Sequence, residues 1–258
     1  MSVPELLLTN ALVVGVLTAI LWLVSVRIKD VSIVDLFWGT GFVVIAWVSL
    51  AIQGQPSSRV LLLALCTTIW GLRLSLYLAI RNHGRPEDYR YAAMRQRRGE
   101  SFWWSSLFLV FWLQAAVMWV VALPIQVGST SASGMILLNW IGVVIWAVGF
   151  LFEAVGDYQL ARFKRRGGVV LDQGLWRYTR HPNYFGNALI WWGITLIALE
   201  PKFWWAFISP VLMTFLLLKV SGVALLERSL SERSAEYRDY MRRTSSFIPL
   251  PPRRQGQS

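Results

Sequence analysis

Long apolar runs separated by short polar segments dominate the chain. Seven of these runs approach or exceed the roughly 20 mostly apolar residues that a helix needs to cross a bilayer. They lie at residues 6–26, 34–52, 60–80, 104–127, 134–155, 184–199 and 203–226. The pattern predicts an all-α, polytopic membrane protein with seven transmembrane helices.

Composition supports this interpretation. Hydrophobic residues make up 55% of the 258 positions and charged residues only 15%, and the 15 tryptophans are typical of a chain that meets membrane–water interfaces. No linker rich in serine, proline or glycine divides the sequence. We therefore expect one integral membrane domain over 1–258, with a retained first helix and a flexible tail at 251–258.

The basic residues are distributed asymmetrically between the predicted loops. Twenty-one of the 25 lysines and arginines fall on one side of a seven-span topology, and only Arg59 and Lys202 fall on the other. By the positive-inside rule, the C-terminus is cytoplasmic and the N-terminus is outside.

The predicted cytoplasmic segments also carry many tyrosines and asparagines, and the net charge is +11. This is more positive charge than orientation requires, which favours a polyanionic small molecule, with anionic lipid headgroups as the competing explanation. No nucleic-acid recognition module interrupts the spans. One cysteine, Cys66, and two distant histidines give no metal-ligand pattern.

Ionisable groups at membrane depth are costly and tend to face a cavity or a partner. Asp35 begins the second predicted span, Arg73 lies in the third, and Glu153 and Asp157 end the fifth on one helical face. Asp35 and Arg73 are candidate catalytic residues, and a purely structural pairing between them is the equal alternative.

The segment GLWRYTRHPNYFGN places polar groups where the chain re-enters lipid. Pro182 forces an extended or turn conformation on His181. A helix that begins there exposes free N–H groups beside Arg180 and His181, which is an arrangement suited to anions.

Three motifs carry a resemblance to a known family. The stretch YTRHPNYFGN, the upstream GDYQLARFKRR and the downstream EYRDYMRRTSSFIP resemble the C-terminal half of the membrane steroid 5-alpha-reductases, and the whole chain looks like their bacterial homologues. The RHPxY element also occurs in sterol C14-type reductases and in isoprenylcysteine carboxyl methyltransferases, which use S-adenosylmethionine.

The resemblance implies a seven-helix enzyme of the bacterial inner membrane that uses NADPH to reduce the carbon–carbon double bond of a hydrophobic enone, with a Δ4-3-oxosteroid as the expected substrate. It implies that residues 1–130 mainly form the substrate pocket and residues 131–250 mainly bind the cofactor on the cytoplasmic side. Partners are then the hydrophobic substrate and membrane lipid; the sequence carries no signal of oligomeric state.

Cofactor contacts carried over by motif are Asp157, Lys164, Tyr178, Asn183 and Tyr240. Further candidates follow from the chemistry of the ligand, because phosphates need cations, and rings and ribose hydroxyls need aromatic and acidic partners. These further candidates are Arg162, Arg165, Arg166, Arg180, His181, Tyr184, Glu227, Glu236, Tyr237 and Arg242.

Animal members of the family hold the substrate ketone with a Gln-Glu pair and a tyrosine. This chain has no Gln-Glu dipeptide in its first spans; alignment on Gly84–Pro86 puts Asp35 near that pair and Trp70 or Gly71 near the tyrosine. Asp35, protonated by burial, is then the expected donor to the ketone. If Arg73 touches Asp35, the anion is favoured and Arg73 becomes the polarising group.

Two other functions compete. A methyltransferase of the isoprenylcysteine type shares the RHPxY element, but the arginine-rich FKRRGG turn favours a phosphorylated cofactor. A lipid-binding or transport protein also accommodates a basic cytoplasmic face, but the membrane-depth charges gather toward one face instead of crossing the bilayer.

Overall fold

The chain folds almost entirely into helices. A computed structural model of the protein describes residues 1–54, 56–220, 223, 227 and 234–253. These residues contain no β-strand, and their one isolated bridge joins Thr179 and Ser245. The all-α prediction is confirmed.

Six helical stretches of the described chain are long and apolar enough to span a membrane, which identifies an integral membrane protein. The sixth predicted span corresponds to a helix of 17 residues, Pro182–Ala198, which is shorter than the others. A count of seven and the orientation therefore stay predictions. The six stretches are Val3–Ile28, Ile33–Gln53, Ser58–Asn82, Tyr89–Val121, Leu137–Arg166 and Pro201–Val220.

The chain divides into two compact units. The first comprises Met1–Ile136 and Ile197–Ala206. Its helices are α1 (Val3–Ile28), α2 (Ile33–Gln53), α3 (Ser58–Asn82), α4 (Tyr89–Arg98), α5 (Phe102–Ser106), α6 (Leu113–Val121) and α7 (Leu123–Gly128), with a π-helical segment at Leu107–Trp112 joining α5 to α6.

Helix α1 shows why this unit belongs in lipid. Leu8, Leu12, Val16 and Ile20 recur every four residues along one face and are each more than half exposed. On another face, the buried Asn10 side chain donates a 2.8 Å hydrogen bond to Ser49 of α2. The helix thus offers apolar side chains outward and places the hydrogen-bonded amide nitrogen of Asn10 inward.

Helices α2 and α3 meet at two glycines. A Cβ atom on Gly39 would overlap the carbonyl oxygen of Gly71, and one on Gly71 would overlap the carbonyl oxygen of Gly39. Backbones approach this closely only where both residues are small, as is common between membrane helices. Beside this contact, Cys66 is buried within α3, as its apolar surroundings predict.

The second unit comprises Leu137–Leu196 and Phe207–Ser258. Its helices are α8 (Leu137–Arg166), α9 (Pro182–Ala198), α10 (Ile208–Phe215), which continues as a π-helical turn over Leu216–Val220, and α11 (Ala235–Arg243). The predicted end of the last span at 226 and the tail residues 254–258 lie outside the described residues.

Two predicted span boundaries differ from the structure. The fourth span begins at Tyr89 instead of 104, because the Asp88 side chain accepts from the backbone N–H of Arg90 and caps α4. The fifth continues to Arg166 instead of ending at 155, so Asp157 and the following basic residues are helical. Apolar runs mark the lipid-exposed length of a helix, not its full length.

Candidate functional site

Glycines bring α8 and α9 together and so position the polar residues of the second unit. A Cβ atom on Gly186 of α9 would overlap the backbone of Gly149 and Glu153 on α8, and one on Gly156 of α8 would press on the N-terminus of α9 at Asn183. Pro182 opens α9, as is usual at a first helical position.

Two acid–amide pairs lie on this contact, one helical turn apart. Asn183 Nδ2 donates to Asp157 Oδ1 at 3.1 Å, and Asn187 Nδ2 donates to Glu153 Oε2 at 3.2 Å. Glu153, Asp157 and Asn187 are all buried. The sequence prediction named Asp157 and Asn183 for cofactor binding, and the structure brings them into contact; it did not include Glu153 and Asn187 in the site.

One hydrogen-bond acceptor in this cluster receives no hydrogen bond from the described residues. The Oδ1 atom of Asn187 is buried and has no hydrogen-bond partner among the described residues. Buried acceptors are rarely left without a donor. The Oδ1 atom of Asn187 can accept a hydrogen bond from an amide or hydroxyl group of a bound molecule.

The RHP segment forms a second cluster around Glu227. Arg180 Nε donates to Glu227 Oε1 at 2.7 Å, and His181 Nε2 lies 3.2 Å from the same oxygen. The His181 ring stacks on the Tyr184 ring with centroids 5.4 Å apart. Burial raises the pKa of Glu227, but the hydrogen bonds from His181 and Arg180 and the charge of Arg180 outweigh it, so this pKa lies below its ordinary value.

The Arg180 side chain forms most of its hydrogen bonds with other groups of the protein. Its Nη1 donates to the backbone oxygen atoms of Met241, at 2.9 Å, and of Thr244. Arg180 is only 7% exposed and ties the end of α11 to the RHP segment. Its predicted contact with a cofactor phosphate stays a prediction.

The tyrosines of α11 are also built into the fold. The hydroxyl group of Tyr240 donates to the backbone oxygen of Trp176, whose own indole N–H donates to Gly156. Tyr240 packs against Tyr237 at a centroid distance of 5.8 Å. Burial, followed by the charge of Glu227, raises the pKa of Tyr237 to about 12, so its hydroxyl stays protonated at neutral pH.

The remaining cofactor candidates are solvent-facing. Arg162, Lys164, Arg165 and Arg166 are exposed over the last two turns of α8, where cations also complement the helix dipole. Glu236 and Arg242 of α11 are exposed as well, and Arg242 pairs there with Asp239. Tyr178, which follows the turn Gly174–Arg177, is also exposed.

In the first unit, Asp35 is the centre of a separate polar cluster. Its Oδ2 accepts from Arg90 Nη2 and its Oδ1 from the Tyr91 hydroxyl group, both at 2.8 Å. Arg90 also donates to Asp88 through Nε at 2.9 Å. The partners that the structure gives Asp35 are thus on α4, and the described ring contact of Arg73 is with Tyr77, 5.9 Å away.

The ion pair with Arg90 favours the anionic form of Asp35, whereas its burial favours the protonated form, so the protonated donor expected from the sequence stays a prediction. Burial raises the pKa of Asp88, but hydrogen bonds from Arg90 and the Arg90 charge lower it by more, so Asp88 is an anion at neutral pH. The carboxyl groups of Asp35 and Asp88 both contact the Arg90 guanidinium group. The Tyr91 hydroxyl group donates the remaining hydrogen bond to Asp35.

Tyr91 was missed because the sequence pattern treated PEDYRY as a loop. The available signal was Asp88 at a cap position, which predicts a helix that begins at Tyr89 and includes Arg90 and Tyr91. At the position that alignment gave to the tyrosine, Trp70 is fully buried and packs on Phe42 at 5.6 Å.

No group of three or more metal-ligating side chains that could hold an ion occurs within the described residues.

Comparisons with known proteins place the chain in a family. A curated relative, "Uncharacterized protein C594.04c" of Schizosaccharomyces pombe, is 27% identical over 298 residues, which cover 93% of this chain and 80% of that protein. No solved structure matches the chain. The family model described as "Protein of unknown function (DUF1295)" matches residues 21–244, and the chain therefore belongs to the DUF1295 family.

Proposed function

We propose that the protein is an NADPH-dependent reductase of the carbon–carbon double bond of a hydrophobic enone, for which a Δ4-3-oxosteroid is the model substrate. The observation that carries the proposal is the contact between Asp157 and Asn183. These residues belong to the two motifs whose resemblance to steroid 5-alpha-reductases implies cofactor binding, and the fold joins them.

The residues of the second unit fit the chemistry of a phosphorylated nicotinamide dinucleotide. The buried acceptor on Asn187 and the Asp157 carboxylate suit a carboxamide and hydroxyl groups. Arg162, Arg165 and Arg166 extend from the end of α8 with positive charge for phosphates. S-adenosylmethionine has no phosphate, so this row of cations favours NADPH over the methyltransferase alternative.

When bound, NADPH would supply a hydride for the β carbon of the enone, and the α carbon would take a proton from water to complete the saturated ketone. Negative charge then develops on the carbonyl oxygen, and a donor aimed at that oxygen stabilises the transition state. We assign this donor to the Tyr91 hydroxyl group. Asp35 orients it by accepting its hydrogen bond in the free protein, and Arg90 holds Asp35 in place.

A binding measurement separates the proposal from its alternative. Purified protein in neutral detergent is heated with NADPH, NADH or S-adenosylmethionine, and the melting temperature is recorded. The proposal predicts a saturable rise with NADPH and a smaller rise with NADH, which lacks the 2′-phosphate. A rise with S-adenosylmethionine alone contradicts it and supports the methyltransferase.

A further inference from the structure

The C-terminal segment that follows α11 returns to the RHP region and is fastened there. The backbone N–H of Leu250 donates to the oxygen of Tyr178 at 3.0 Å, and the hydroxyl group of Thr179 donates to the oxygen of Phe247 at 2.8 Å. The N–H of Arg253 donates to the oxygen of Arg243 at 2.9 Å. The described part of this segment, residues 244–253, is therefore hydrogen-bonded both to the RHP region and to the end of α11.

The same segment lines part of a cavity of about 740 Å³, which is formed wholly by residues of the second unit. Its lining includes three arginines and a single carboxylate, namely Arg177, Arg243, Arg253 and Asp172. A second cavity of about 330 Å³ shares Arg243, Thr244, Pro251 and Arg253 with the first. The larger cavity contains none of the residues assigned above to NADPH.

The arginines of the larger cavity differ in whether their side chains already form hydrogen bonds or ion pairs. Arg243 donates to Asp172 at 2.6 Å, so that pair is balanced. Arg177 and Arg253 are exposed, and neither side chain has a hydrogen bond or ion pair to another residue in the described part of the chain. Arg177 and Arg253 both line this cavity, and neither is neutralised by an ion pair with a carboxylate of the described chain. The cavity therefore carries a net positive charge.

We propose that this cavity is an anion site for a phosphate group, held by Arg177 and Arg253, with the Thr244 side chain at its rim. Arginine is suited to this role because its planar fork gives two parallel N–H donors to phosphate oxygens. The group can belong to a soluble phosphorylated molecule or to the headgroup of an anionic phospholipid. The site is additional to the one proposed for NADPH and does not depend on it.

The test compares wild type with an Arg177→Gln/Arg253→Gln double variant and with an Arg97→Gln/Arg98→Gln control. The control removes the same charge from exposed positions of the first unit. Binding of inorganic pyrophosphate is measured by calorimetry in neutral detergent, and retention of phosphatidylglycerol from mixed-lipid nanodiscs is measured by native mass spectrometry. All three proteins must melt at closely similar temperatures.

The proposal predicts at least one ligand whose binding weakens by about tenfold or more in the Arg177/Arg253 variant and is unchanged in the control. Loss of pyrophosphate binding identifies a soluble ligand, and selective loss of phosphatidylglycerol identifies a lipid headgroup. The proposal is overturned if wild type binds neither, or if both variants lose binding equally. It is also overturned if NADPH displaces the bound ligand stoichiometrically, because the cavity is then part of the dinucleotide site.

Discussion

The Tyr91 hydroxyl group donates a 2.8 Å hydrogen bond to Oδ1 of Asp35, although 56 residues separate them in the chain. Asp35 lies in the first turn of α2 and Tyr91 in the first turn of α4, so the contact joins the starts of two helices. It gives the first unit a hydroxyl donor beside a carboxyl group, next to a buried apolar cluster that includes Val31, Val34 and Phe102.

Replacing Tyr91 by phenylalanine removes the proposed donor while leaving the ring in place. We expect kcat for enone reduction to fall by about 10²-fold to 10³-fold, the usual cost of removing one oxyanion donor. The KM for NADPH is expected to stay nearly unchanged, because the residues proposed to bind the cofactor lie in the second unit. Steady-state kinetics with a saturating enone provide the measurement.

Tyr89→Phe is the matched control for this substitution. Tyr89 is 65% exposed and precedes Tyr91 by two positions on α4. Equal losses in the two variants would show that the hydroxyl group of Tyr91 has no special role.

Asn183→Ala tests the assignment of the cofactor site. Removing the amide leaves Asp157 without this hydrogen bond and takes away a group proposed to contact the dinucleotide. We expect the dissociation constant for NADPH to rise by about tenfold, since a hydrogen bond to a charged group contributes about 1.5–3 kcal/mol. Asn82→Ala at the end of α3 should leave NADPH binding unaltered. Unchanged affinity in the Asn183 variant contradicts the assignment.

The glycine contact between α8 and α9 makes a prediction about stability. Gly186→Ala places a methyl group against the backbone of Gly149 and Glu153, and overpacking of this kind costs about 1–3 kcal/mol. Gly15→Ala in α1 is the control, because its new Cβ meets nothing within 4 Å. We expect melting in detergent to occur at a lower temperature for the first variant and at the same or a higher temperature for the second, because alanine favours helix over glycine.

The lowered pKa of Glu227 predicts an acid-sensitive contribution to stability. A carboxyl group whose pKa is lower in the folded state stabilises the protein fully above its ordinary value of 4.5 and loses that effect as the pH falls through the folded pKa. Wild type should therefore melt at a higher temperature than Glu227→Gln at pH 7, and the two curves should converge as the pH falls from 4.5 through the lowered pKa of the folded state. A difference that stays constant over this range contradicts the ion pair with Arg180.

Most of the fold could be predicted from the sequence because lipid imposes a simple rule: apolar runs of sufficient length become helices. The boundaries at Tyr89 and Arg166 could not be predicted, since hydrogen-bonded caps and polar helical turns outside lipid leave no hydropathy signal. Asp157 and Asn183 were named as cofactor candidates through their motifs, and that assignment stays a prediction. Tyr91 was not named, because its contact with Asp35 joins distant helices and no local pattern encodes it.

The central claim is tested most directly by following isotope into product. Purified protein is incubated with testosterone and with NADPH whose transferable hydride, at C4 of the nicotinamide ring, is replaced by deuterium. The steroid is then analysed by mass spectrometry. The account predicts a 4,5-saturated product with one deuterium at C5, formed by wild type and at least about 10²-fold more slowly by Tyr91→Phe. Deuterium recovered only in unreacted NADPH, across a panel of steroid and prenyl enones at saturating cofactor, would contradict it.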